Sequence, residues 1–133
     1  MVPLIMRVMR GEMRSRRGGE LSVPQFRTLA YLDRRPGSAL LDVTAHIGLT
    51  PPSLSKLIDG LIARKLVTRQ ISSADRRRIT LSLTAQGRAI LQRSRKHMRI
   101  RLGETLATLT EAENATVQEA LPVLERAFLD EVE

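Results

Sequence analysis

Apolar residues recur along this chain with two different periods, and the change of period marks its organisation. Residues 3–17 approximate a helical face through Leu4, Ile5, Val8, Met9 and Met13, and Gly18-Gly19 is expected to stop that helix. A start signal follows: Ser22 as N-cap with Gln25 three residues on, a capping-box pair, and Leu21 and Phe26 placed to staple the entry. The helix so opened is predicted over 23–34, ended by Pro36-Gly37. A short helix over about 39–47 ends at Gly48, and another starts after Thr50, with Pro51 at the first helical position, and runs to about Lys65. The period then drops from 3.6 to 2: Val67–Ile71 and Ile79–Leu83 alternate as two strands around the polar stretch 72–78. Thr84 opens a long helix to Leu109 whose Leu91, Met98, Leu102, Thr105 and Leu109 trace an interrupted seven-residue seam. Thr110 with Glu113 forms a second capping box, opening a last helix to the C-terminus.

Charge changes the picture from a generic helical domain to one with a polyanion partner. The 133 residues carry a net charge of +8, placed unevenly. Residues 1–103 hold 21 Lys/Arg against 6 Asp/Glu, whereas 104–133 hold 1 against 8. A basic body followed by an acidic helix points to nucleic acid as the partner of the body only.

The pattern locates where such a partner would be read. Helix 39–47, the turn at Gly48-Leu49 and helix 51–65 make a helix-turn-helix. Leu54, Leu57, Ile58, Leu61 and Ile62 share one face of the second helix, and Ser53, Lys56, Asp59, Gly60 and Ala63 the other. Small, hydrogen-bonding side chains near a helix N-terminus suit approach to base edges and phosphates. The strand pair that follows carries three consecutive arginines, Arg76, Arg77 and Arg78, in its loop. Arginines there can reach phosphates or enter a narrow minor groove, and Asp75 is placed to hold a guanidinium by bidentate pairing.

Ile47-Gly48-Leu49-Thr50, Ser55-Lys56-Leu57-Ile58-Asp59-x-Leu61, Leu66-Val67-x-Arg69, Asp75-Arg76-Arg77 and Leu81-x-Leu83-Thr84-x-x-Gly87 resemble the multiple antibiotic resistance regulator (MarR) family, in the family's order over roughly residues 20–110. The resemblance implies a homodimer on a pseudo-palindromic operator, usually repressing genes and often released by small anionic ligands. It also implies that Ser55 and Lys56 lie in the major groove and Arg77 in the minor groove, with Asp75 as its orienting partner. The sequence departs from the family at Ser72, where an acid is common, at Gly60, at Lys65, where a capping glycine is common, and at Pro122, which must kink or interrupt the last helix.

The expected fold is therefore mainly α with a small β-hairpin wing: a winged helix-turn-helix over 21–84, flanked by a dimerisation helix over 1–20 and by the long and C-terminal helices over 85–133. The expected contacts to double-stranded DNA are Thr50, Ser53, Ser55, Lys56, Arg69, Asp75, Arg76, Arg77 and Arg78. Leu4, Ile5 and Val8 with Leu121, Leu124 and Phe128 form the expected homodimer surface. A small anionic aromatic effector fits the cluster Arg7, Arg10, Arg14 and Arg27. The alternative function is a winged-helix module for protein association or non-specific DNA packaging. No cysteine is present, no apolar run is long enough to span a membrane, and His46 and His97 stand apart from any ligand cluster. A cytoplasmic protein with no cofactor, no metal and no catalytic constellation is expected.

Overall fold

The computed structural model describes residues 1–14 and 20–129; the expected stop at Gly18-Gly19, and the side chains of Met13 and Arg14, lie outside what it describes. In chain order the elements are α1 (Val2–Arg14), α2 (Val23–Arg34), β1 (Ser38–Ala39), α3 (Leu40–Ile47), α4 (Pro51–Ala63), β2 (Val67–Ile71), β3 (Ile79–Leu83), α5 (Ala85–Leu106) and α6 (Glu111–Leu129). Met1–Met98 form one compact unit and Arg99–Glu133 a second.

Local chemistry explains the element boundaries of the first unit. Ser22 Oγ accepts from the Gln25 N–H at 3.3 Å, and the Ser22 N–H donates back to Gln25 Oε1 at 2.9 Å, so the capping box closes in both directions. Leu21 is buried and Phe26 packs on the same core, which secures the entry of α2. Thr28, fully buried within α2, donates its hydroxyl to the Pro24 carbonyl at 2.8 Å and so leaves no orphaned polar atom. Gly48 ends α3 in the left-handed region at φ 74°.

The structure adds one element that the hydrophobic pattern does not predict. Ser38–Ala39 forms a two-residue strand that pairs antiparallel with β3, Ser38 opposite Leu81 and Ala39 opposite Thr80. The sheet order is β1-β3-β2, so the predicted hairpin gains a third, short strand alongside β3. In the hairpin Val67 faces Leu83, Arg69 faces Leu81 and Ile71 faces Ile79.

The core of this unit is aliphatic. Leu29 and Leu32 from α2, Val43 from α3, Leu54, Ile58 and Leu61 from α4, Leu81 from β3 and Leu91 from α5 are fully buried, with Leu66 and Val67 nearly so. Cutting any one of these leucines to alanine is expected to cost about 2–5 kcal/mol, because the packed surroundings relax only in part. Glu20 and Asp33 add ion pairs to α5: Arg93 reaches Glu20 at 3.4 Å, and Arg88 and Arg95 approach Asp33 at 3.6 and 3.0 Å.

In the second unit, Thr110 and Glu113 complete the expected capping box of α6, with bonds of 2.8 and 3.2 Å. Helix α6 continues through Pro122 rather than being interrupted there. The ring removes one N–H from the helical ladder. No residue of α6 is buried.

Candidate nucleic-acid interface

Recognition helix α4 is held at both ends by its own sequence. At its start Thr50 is the N-cap: its hydroxyl accepts from the Ser53 N–H at 3.4 Å and donates to Ser53 Oγ at 2.9 Å. These two predicted contact residues are thus paired with each other, both at the surface, where their remaining hydrogen-bonding capacity can meet a partner. Lys56 is exposed one turn on, and Ser55 is half-buried.

At the other end the chain leaves α4 by a Schellman turn. The Leu66 N–H reaches the Leu61 carbonyl and the Lys65 N–H reaches the Ile62 carbonyl, both at 2.9 Å, while Leu61 and Leu66 are buried. Lys65 occupies the left-handed position at φ 60°, a conformation glycine adopts without strain, and this turn is why α4 stops at Ala63, two residues short of expectation. The lysine costs about 1–2 kcal/mol relative to an unstrained position. The same turn fixes α5. Thr84 donates its hydroxyl to the Lys65 carbonyl at 2.7 Å, accepts from the Gly87 N–H at 2.9 Å, and gives its own N–H to the Leu66 carbonyl at 3.1 Å. A Cβ on Gly87 would run into that Leu66 carbonyl oxygen. The Leu-Thr-x-x-Gly sequence is therefore the joint where recognition helix, wing stem and α5 meet.

The wing is shaped by its own backbone bonds. Ser72 Oγ accepts from the N–H groups of Ala74 and Asp75 at 3.3 and 3.4 Å, so the hydroxyl fills the acceptor role an acid could have in its place. The sequence leads one to expect Asp75 on an arginine guanidinium; instead its Oδ1 accepts from the backbone N–H of Arg77 at 2.9 Å. A carboxylate two residues upstream closes an Asx turn more readily than it folds back onto a long side chain. Asp75 thus orders the loop from which Arg77 projects. Arg76 and Arg77 are exposed, and neither guanidinium has an acid partner among the described residues.

The other two predicted arginines are tethered. Arg69 on β2 pairs with Asp59 of α4 at 3.0 Å, and Arg78 lies 3.9 Å from Asp42 of α3. Both pairs are largely exposed, so each contributes little to stability and can be exchanged for a phosphate. The sequence places Asp59 on the outer face of its helix, but nothing in it pairs that acid with Arg69. Nothing in it singles out Asp42 either. Between the start of α3 and the wing lies a cleft of about 390 Å³, edged by Leu41, Asp42, Asp75, Arg77 and Arg78.

At the far end of α3, Arg27 donates to the carbonyls of Ile47 and His46, each at 3.4 Å. That guanidinium, expected to receive an effector, is hydrogen-bonded to the end of α3. The His46 and Tyr31 rings lie 4.5 Å apart between centroids, tilted by 30°, and the Arg35 guanidinium carbon is 5.7 Å from the Tyr31 centroid. Partial burial, and then the charges of Arg27, Arg34 and Arg35, hold the His46 pKa below its ordinary value. No group of three metal-ligating side chains occurs among the described residues, and none of their helices is long and apolar enough to cross a membrane.

Known proteins share this arrangement. The sequence profile of the MarR family matches residues 20–78. The HTH-type transcriptional repressor Rv2887 of Mycobacterium tuberculosis is 30% identical over 90 residues, covering 68% of this chain and 65% of that relative. The chain thus spans just under two thirds of such curated relatives. The fold of Rv1404, also from M. tuberculosis, superposes with a TM-score of 0.81 at 22% identity, over 94% of this chain and 84% of the other. A point mutant of MepR from S. aureus, solved bound to an oligodeoxyribonucleotide, gives 0.70 at 20% identity, over 96% and 91%. With its capped helix α4, its arginine wing and the glycine joint behind them, the chain carries the MarR-family sequence over residues 20–78 on the fold these proteins share.

Proposed function

We propose that this chain is a transcription repressor that binds a pseudo-palindromic operator in double-stranded DNA as a homodimer. The observation that carries the reading is the wing: a loop closed by Ser72 and Asp75 that presents Arg76 and Arg77 with no acid partner among the described residues. In that arrangement α4 enters the major groove through Thr50, Ser53, Ser55 and Lys56, and the wing reaches the flanking minor groove, where negative potential favours arginine. Arg69 and Arg78 exchange Asp59 and Asp42 for phosphates. That Rv2887 is named a repressor, and that the MepR mutant was solved on an oligodeoxyribonucleotide, favours this reading. A small anionic aromatic effector is expected to meet the arginines of α1, Arg7 and Arg10 among the described residues, with Arg27 hydrogen-bonded to the end of α3.

Selecting bound sequences from a random duplex pool tests the proposal. A palindromic consensus is the expected result. Retention of the pool without a consensus would indicate non-specific packaging instead. On the selected duplex, Arg77→Ala is expected to weaken binding by about 1–3 kcal/mol with the fold unchanged, and affinity within twofold of wild type would remove the wing from the interface.

A further inference from the structure

A second group of cations stands at the ends of α2 and α3, on neither α4 nor the wing loop. Arg34 and Arg35 close α2, His46 stands in the last turn of α3, and all three are exposed. Tyr31 joins them, with its ring against His46 and the Arg35 guanidinium near its face. The acids nearest this group in the chain are paired elsewhere. Asp33, beside Arg34, is held by Arg88 and Arg95 of α5, and Asp42, one turn before His46, lies by Arg78 of the wing. Arg27 adds its charge while capping α3. Among the described residues, then, no acid is paired with Arg34 or Arg35, and their charges oppose the protonation of His46.

The position of this group says which polyanion it meets. His46 sits two residues before the Gly48 turn and four before Thr50, the N-cap of the recognition helix. The first helix of a helix-turn-helix crosses the DNA backbone as the second enters the groove. We propose that Arg34, Arg35 and His46 form a phosphate-binding surface for the duplex, additional to the recognition helix and the wing. The inference rests on the DNA-binding reading above. A phosphate at this surface offsets the arginine field and stabilises the imidazolium, so DNA binding takes up a proton at His46. Affinity then rises as pH falls, because the bound form holds the proton more tightly than the free protein.

The test uses the full chain and the duplex selected above, titrated against salt at about pH 8 and about pH 6, on either side of the ordinary histidine range. Replacing Arg34 and Arg35 together with glutamine is expected to reduce the slope of log affinity against log salt by about 1–2, at about 0.9 for each phosphate no longer neutralised. His46→Gln is expected to remove the tightening of binding between the higher and the lower pH. Circular dichroism of each variant confirms the fold. A wild-type salt slope in the double variant, or the same pH response in wild type and His46→Gln, overturns the surface. Arg77→Ala and Lys56→Ala, measured alongside, separate the two readings. If these weaken binding while the patch variants do not, the surface alone is refuted; if none of the variants alters affinity, the DNA-binding reading falls with it.

Discussion

The first 98 residues and the last 35 solve the same problem in opposite ways. Met1–Met98 bury an aliphatic core drawn from four helices and the sheet, and their composition is strongly basic. In Arg99–Glu133, helix α6 buries nothing: Leu121, Leu124 and Phe128 are 56%, 52% and 66% exposed, on a helix that also carries Glu111, Glu113, Glu119 and Glu125. Scattered apolar residues on a surface need no explanation, but a run of five between 121 and 129 does. The acids rule against DNA as the covering partner. One region thus closes its own core and presents a basic surface, whereas the other leaves an apolar face uncovered. Leu4 and Ile5 of α1 are likewise exposed, and Val8 is half-buried. A second copy of the chain, as in the proposed homodimer, is what fits such faces.

The largest expected effect breaks the comparison on the acidic side. Leu124→Glu places a charge in the apolar run of α6 without touching the core of the first 98 residues. Sedimentation should show monomers, and affinity for a palindromic duplex should fall by about 100-fold or more, because the second half-site loses its high effective concentration. A variant that stays dimeric would remove α6 from the dimer surface, and a wild-type chain that is a monomer at micromolar concentration would rule out the dimer.

On the other side, the strongest single lever is the joint at Gly87. Alanine there must push aside the Leu66 carbonyl, a backbone atom already receiving the Thr84 N–H. A loss of about 2–4 kcal/mol is expected in urea unfolding, at the upper end of single-substitution effects. Alanine at Gly60 meets nothing within 4 Å, so it serves as the control and should gain up to about 1 kcal/mol from helix propensity. Equal stability of the two variants would show that the joint is looser than its geometry implies.

Much of this is legible in the sequence, for reasons that are local. The capping box at Ser22 and Gln25 marks the start of α2 to the residue, and alternation marks both β2 and β3. What the sequence hides is set by partners distant in the chain. Ser38–Ala39 is a strand only because β3, some forty residues later, pairs with it. Helix α4 ends early because Lys65 turns left-handed to bring Leu66 under Leu61, and α5 ends at Leu106 rather than Leu109. In the candidate interface the residue types are readable, but their pairings are not. A sequence cannot choose between the Arg77 guanidinium and the Arg77 N–H as the partner of Asp75, nor assign Asp59 to Arg69 across ten positions. The reason for Gly87 likewise lies in a carbonyl that only the fold brings near.

The smallest expected effect sharpens the comparison by asking what the basic surface costs the first region when no DNA is present. His46 titrates below its ordinary value of 6.5, chiefly through partial burial and then through Arg27, Arg34 and Arg35. The unfolded chain, free of those neighbours, takes up a proton at a higher pH than the folded one. Stability from this source is therefore complete above about pH 6.5, declines as pH falls below it, and levels off once the folded histidine is also charged. The group is largely exposed, so the change in melting temperature is small and is best read as a difference between variants. His46→Gln should flatten the acid-side decline of the free protein, and Arg34→Gln should flatten it in part by relaxing one of the charges responsible. An unchanged profile in His46→Gln would mean that the arginine field is too well screened by solvent to reach the ring, and the contrast between a basic region and one with an uncovered apolar face would then rest on composition and burial alone.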